Sequence, residues 1–375
     1  MLRKLMLVML LIAVLIPGVQ AQDEPLEDAS FFLTFIPNIQ FAPIYVAIEN
    51  GYFADAGLNL TVQYGNEPDG VDLVAAGSLD YGVFSGEQII LSRANQRDVV
   101  FVYEWFQQLP IGIVSVDSAN ISTVADLTGQ RLGVPGRFGA SYSGLIALLA
   151  SAGMVETDIQ LEEIGFNAPE VICVGAIESS VVYINNEPLQ IQERIDQGDC
   201  GAVTGLTVLP VSSSVDMVSN GLVTSAAAIA EKPEEVQMVV TAFHNGLQDT
   251  INNPAQAYLL SAAHVENLLT DETLRSALEA EAATQAEFLA TEPDRAAITE
   301  SRSAMLARLA EQFDSQTLVQ FQVLLNTIEL WDADQLGLTD IASWETTQQT
   351  LLTMGFIQEP IDLEAAFTND FLGPR

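Results

Sequence analysis

Histidine and cysteine are nearly missing from this chain, and cations of any kind are scarce. Two histidines, two cysteines and thirteen lysines plus arginines stand against fifty aspartates and glutamates in 375 residues, a formal charge of −37. Each shortage closes off a class of function. So anionic a surface repels nucleic acid and anionic lipid. His244 and His264 fall in helical patterns far from the polar loops. No HExxH, paired CxxC, EF-hand loop or GxSxG elbow occurs. The parts for metal-dependent or acyl-transfer catalysis are therefore not in evidence, and no cofactor or metal is expected. Cys173 and Cys200 have no histidine near them. In an oxidising compartment one disulfide is open to them. Sequence does not say whether their Cα atoms come close enough.

Long apolar runs are also rare. After Leu5–Ile16, nothing approaches the ~20 residues of a membrane helix. That run follows Arg3 and Lys4 and precedes Val19-Gln20-Ala21, the order of a secretory signal over residues 1–21. No cysteine near the cleavage site offers a lipid anchor. Removing Arg3 and Lys4 takes −37 to −39 and leaves Lys232 as the one lysine. The expected place is outside the cytoplasm, periplasmic or extracellular at the outer face of the cell membrane. Residues 22–30 read as a loose, acidic leader.

What is present is a repeated alternation of short strands and helices. It begins at Phe31–Phe53, where an apolar strand, a Pro37-Asn38 break and a helix over Ala42–Asn50 follow one another. Further strand–helix units predict an α/β fold with a largely parallel sheet. Residues 31–116 read as a first lobe and 117–224 as a second. Residues 225–375 return to the first as helices. The crossovers are expected near Val114–Asp117 and Val223–Ala226, and Asn220-Gly221 reads as a turn.

Ligands in such folds sit beyond the strand C-termini. The polar and aromatic residues at predicted strand ends are Asn38, Gln40, Phe41, Ser85, Glu87, Trp105 and Phe106 in the first lobe. In the second they are Phe138, Ser141, Tyr142, Tyr183, Asn186 and Glu187. Aromatics flanking a few fixed donors and acceptors suit a flat heteroaromatic small molecule, stacked on its faces and hydrogen-bonded at its edges. The same residues also suit a core with an ordinary turn at Asn186-Glu187-Pro188.

The segments FIPNIQFAPIYVAIENGYFADAGLNL, GSLDYGVFSGEQIILSRA, VVFVYEWFQQLP, GVPGRFGASYSGL, EIGFN, VVYINNEP, VDMVSNGLVTS and LLTMGFIQEPIDLEAAFTNDFL resemble, in order, solute-binding proteins of ABC importers. They are most similar to the branch that binds thiamine pyrimidine precursors and, in some members, riboflavin. The resemblance implies a type II periplasmic-binding-protein fold, in which two lobes close on a ligand and the closed form docks on a membrane permease. It implies a monomer. The pyrimidine binders carry Trp before the Pro-Asn and His three positions after that Asn; here Ile36 and Phe41 stand there. EWF and NNEP look more like the riboflavin-binding members. The resemblance therefore favours riboflavin over an aminopyrimidine. A pyrimidine-synthesising enzyme shares the fold, but it uses an active-site lysine and a Cys-rich segment that do not stand out here. A carrier or sensor without a permease is a further reading.

Overall fold

Two five-stranded sheets carry the fold of the computed structural model, which describes residues 25–373. The predicted signal over residues 1–21 lies outside the described residues. The strands are β1 (Glu27–Leu33), β2 (Leu58–Tyr64), β3 (Tyr81–Ser85), β4 (Val99–Glu104), β5 (Ile111–Val116), β6 (Arg131–Val134), β7 (Gln160–Glu163), β8 (Ser179–Tyr183), β9 (Leu206–Pro210) and β10 (Asn220–Ser225). The first lobe is ordered β2-β1-β3-β10-β4 and the second β7-β6-β8-β5-β9. In the first, β10 runs antiparallel to both neighbours. In the second, β5 does the same. The remaining pairs are parallel. This is the type II periplasmic-binding-protein arrangement.

The inner strands are apolar on both faces because helices cover both faces of each sheet. All five residues of β3 and all six of β5 are buried. The helices after Ala226 reuse the chain's acidic residues as caps. Asp271, Asp294, Asp314 and Asp340 each accept backbone N–H groups at the start of a helix, which satisfies orphan donors and suits the helix dipole. The chain then returns to the exposed edge of β4. Phe101 N–H donates to Ala366 O, and Thr368 N–H donates to Phe101 O, both at 2.9 Å, so that edge is covered rather than open to another chain.

Several expectations change. Glu27–Ser30 is not a loose leader but the first half of β1, paired in register with Leu58–Thr61. Only Ala29 is buried there, so the segment looks polar although its backbone is in the sheet. The lobe boundaries shift as well. β5 belongs to the second sheet, so the first crossing is Trp105–Pro110 rather than Val114–Asp117. β10 belongs to the first, so the second crossing spans 211–219 rather than Val223–Ala226. An apolar strand has the same pattern whichever lobe buries it, which is why the sequence misplaced both. Asn220-Gly221 is not a turn but the start of β10. Gly221 is there for closeness: a Cβ would lie 2.0 Å from Phe101 Cζ and 2.3 Å from Tyr103 O. Strand β9 and the helix Glu187–Asp196 were not anticipated.

Cys173 and Cys200 form a disulfide, 27 residues apart in sequence and within the second lobe. Closing a loop of that length stabilises the folded state by about 3.5 kcal/mol through the unfolded chain's lost freedom. Replacing both with serine is expected to lower the urea midpoint by a matching amount. An unchanged midpoint would show that the bridge carries no stability.

Candidate ligand-binding site

The cleft between the lobes spans about 910 Å³ when the open solvent at its mouth is counted. Its walls are aromatic. Phe35, Phe41, Trp105 and Phe106 line it from the first lobe and the first crossing, Phe138, Phe166 and Tyr183 from the second. Phe35 and Phe166 meet edge to face across the lobes at 4.7 Å. Trp105 is 1% exposed, and one of its faces is already stacked on Trp331 at 5.2 Å. Its indole Nε1–H finds no partner among the described residues, and the same holds for Asn220 Oδ1; both residues line the cleft. A buried polar atom left unpaired is costly, and each of these two exposes less than 1 Å².

The polar groups come from strand ends that run directly into helices. Gln40 Oε1 accepts from Asn185 Nδ2, which also donates to Thr327 Oγ1, both at 2.7 Å. Asn185 belongs to the second lobe and its partners to the first, so these bonds tie the two lobes together. Glu67 is a second tie. Its Oε1 accepts from Ser85 N–H at 2.6 Å and from Ser85 Oγ–H at 2.5 Å, and its Oε2 accepts from Ala140 N–H of the other lobe at 3.1 Å. Glu187 Oε2 accepts from Tyr183 N–H at 2.9 Å.

Ser85 Oγ also lies 2.6 Å from Glu87 Oε1. A hydroxyl carries one hydrogen, so it cannot donate to both carboxylates. One of the two acids must therefore hold a proton and donate back. Glu67 receives two N–H groups, whereas Glu87 Oε2 has no partner, which makes Glu87 the neutral acid. Burial first, and then the charge on Glu67, pushes Glu87 up to about 8. Burial raises Glu67 as well, against its hydrogen bonds to Ser85 and Ala140. Glu187 is pushed up to about 7 by burial, and Glu104 to about 8 for the same reason. Tyr183, facing these carboxyls, is raised by burial and by the charges of Glu67, Glu87 and Glu187.

Of the residues expected at the site, Gln40, Phe41, Trp105, Phe106, Phe138, Ser141, Tyr183 and Glu187 line the cleft. Five do not. Asn38 accepts from Gln40 N–H and caps a short 3-10 turn. Ser85 and Glu87 are wholly buried and support Glu67 from behind. Tyr142 turns to Glu156, donating at 2.5 Å, and stacks on Phe356. Asn186 accepts from Gln190 Nε2 at the start of its helix. Strand-end position predicts proximity, but it does not say which way a side chain turns.

Glu67, Phe35, Phe166 and Asn220 were missed. A signal for Glu67 was present in the sequence. Asn66-Glu67-Pro68 after β2 repeats Asn186-Glu187-Pro188 after β8. Each glutamate opens a helix, Glu67–Ala75 and Glu187–Asp196, with Asn as N-cap and Pro in the first turn, where proline and an acid are both favoured.

The family profile described as NMT1/THI5 like matches residues 38–257. Over 95% of its length the chain is 29% identical to the riboflavin-binding protein RibY of Chloroflexus aurantiacus, covering 89% of that protein. It is 29% identical to the formylaminopyrimidine-binding protein of Halalkalibacterium halodurans over 49% of this chain and 56% of that one. It is also 24% identical to a 4-amino-5-hydroxymethyl-2-methylpyrimidine phosphate synthase of Legionella pneumophila, over 62% of this chain and 72% of that one. Among solved structures, a putative periplasmic sulfonate-binding protein of Methylobacillus flagellatus shares the fold, with a TM-score of 0.56 at 14% identity over 93% of both chains.

The raised carboxyls set a pH dependence. Each keeps its proton when folded at a pH where the unfolded chain, with carboxyls near ~4.3, has lost it. The stability this brings is full below the unfolded value and is lost as pH rises through about 7–8. The thermal midpoint should therefore fall from about pH 5 to about pH 8.5. Glu87→Gln, whose amide can still donate to Ser85, should raise the midpoint at the alkaline end by roughly 2 °C or more and flatten the slope. A wild-type midpoint that holds or rises over this range would refute the neutral-acid assignment.

Proposed function

The chain belongs to the NMT1/THI5-like family, and from that premise we propose that it is an exported solute-binding protein that delivers riboflavin to an ABC importer. The observation that carries the reading is the cleft itself: an aromatic slot with carboxyls and amides at its edges and no Lys, Arg or His in its lining. A flat, neutral ring stacks between the aromatic walls, and its N–H and hydroxyl groups donate to Glu187, Gln40 and their neighbours. The ligand's contacts to both lobes favour the closed form that the permease would recognise. Nearly full-length similarity to a protein named for riboflavin supports this choice of ring. The predicted signal segment supports export.

A thiamine pyrimidine precursor is the second reading, supported by the half-length similarity to a formylaminopyrimidine-binding protein. An aminopyrimidine presents N–H donors to the same carboxyls. A smaller ring leaves more of the aromatic wall uncovered, which favours the flavin.

Synthesis of the pyrimidine is disfavoured by where the reactive side chains lie. His244 meets Tyr103 OH, and His264 meets Glu49 and stacks on Tyr45. Lys232, the one lysine among the described residues, pairs with Glu27 and Glu235 at the surface. None of the three lines the cleft.

Titrating ligand-free protein into riboflavin should quench flavin emission with one-to-one stoichiometry. Phe166, 39% exposed at the mouth, can be removed with little cost to the core. Phe166→Ala should weaken riboflavin by ~1–3 kcal/mol in calorimetry, the range for stacking on an aromatic face, with the thermal midpoint of the ligand-free protein lowered only by the lost contact with Phe35. No quenching, together with a thermal shift by an aminopyrimidine, would replace the flavin with the pyrimidine.

A further inference from the structure

The helix Gly139–Ser151 points its N-terminus at the cleft, with Gly139, Ala140 and Ser141 all in the lining. A helix start carries unpaired N–H groups and partial positive charge, and therefore attracts anions. The second lobe gives this helix no cap of its own, because Phe138 stands at the N-cap and offers no side-chain acceptor. The acceptor arrives from the first lobe instead: Glu67 Oε2 takes Ala140 N–H, while Ser85 holds Oε1. The loop is shaped around this carboxylate. Gly139 has φ +66°, and a Cβ there would stand 2.6 Å from Glu67 Oε2. The cleft supplies no cation to balance a second negative group, and it adds Glu187.

We propose that Glu67 is a specificity-determining residue: it occupies, as a built-in anion, the helix N-terminus where a ligand's phosphate or sulfonate would otherwise seat, and so restricts the cleft to ligands without an anionic group. Applied to the flavin, this selects the free vitamin over its phosphate ester. That application rests on the riboflavin reading, whereas the exclusion of anions does not. Closure and selectivity then share one side chain, since the contact that bridges the lobes is also the one that fills the anion position.

Two probes keep the readings separate. The first is inorganic phosphate, followed by the thermal midpoint against sodium chloride at equal ionic strength. Wild type should show no saturable rise beyond the salt control. Glu67→Ala should gain one. Glu67→Ser, which leaves a hydroxyl beside Ser85, takes its place if the alanine variant does not fold. Saturable stabilisation of wild type by phosphate, or a folded Glu67 variant blind to phosphate, overturns the proposal. The second probe is riboflavin against riboflavin 5′-phosphate. Wild type should bind the phosphate at least about 100-fold more weakly, as expected for like charges brought together, and the Glu67 variant should narrow that ratio at least tenfold. Equal binding of both flavins by wild type also overturns it. If neither flavin binds, the riboflavin reading fails, and the phosphate titration still decides the role of Glu67.

Discussion

The two crossings between the lobes meet at one carbonyl. Asn220 O accepts from Trp105 N–H and Phe106 N–H, both at 3.0 Å. Trp105 and Phe106 open the first crossing between the sheets, and Asn220 closes the second. The hinge is therefore not a loose linker but a shared hydrogen-bond point at the rear of the cleft. The same three residues face the cleft, so the backbone that fixes the lobes also fixes two aromatic walls and one amide. The glycine that follows allows this closeness, because any side chain at Gly221 would strike Phe101 and Tyr103.

Electrostatics separates the surface from the site. Most of the negative charge is exposed, and some of it caps helices in the C-terminal part. The carboxyls at the cleft are handled differently. Glu87 is kept neutral behind Ser85. Glu67 is tied to backbone N–H groups of both lobes, and Glu187 is held by the Tyr183 N–H at the end of β8. No basic side chain compensates them. Burial in such a place punishes added negative charge and rewards ligands that bring donors, which is a physical filter rather than a matter of shape.

The strand and helix alternation was legible because each element has its own period and its own stops. The helix start at Ala42, for one, followed from the Pro37-Asn38 break. Lobe membership was not legible. The apolar runs of β5 and β10 say only that both faces are covered, not by which sheet. Glu27–Ser30 was misread because an exposed stretch of strand keeps polar side chains while its backbone pairs. At the site, Trp105, Phe138 and Glu187 were reachable from position after a strand. Asn38, Tyr142 and Asn186 were drawn in by the same rule although their side chains serve caps and neighbouring helices. Asn220 was lost to a turn signal, since Asn-Gly marks a turn only when the glycine needs its left-handed freedom, and here it needs an absent side chain.

The repeated Asn-Glu-Pro shows how one local solution serves two purposes. Each lobe ends a strand, turns on an asparagine and starts a helix on a glutamate that reaches the cleft. The local chemistry is the same, and what differs is what lies opposite. Facing Glu67 is the uncapped helix start of the other lobe, so that carboxylate is consumed in holding the lobes together. Glu187 takes its hydrogen bond from its own lobe's backbone, at Tyr183 N–H. Its remaining acceptor capacity faces the cleft. The lobes therefore contribute unequally: the first lobe's glutamate sets which ligands are refused, and the second lobe's offers the acceptor to those that enter.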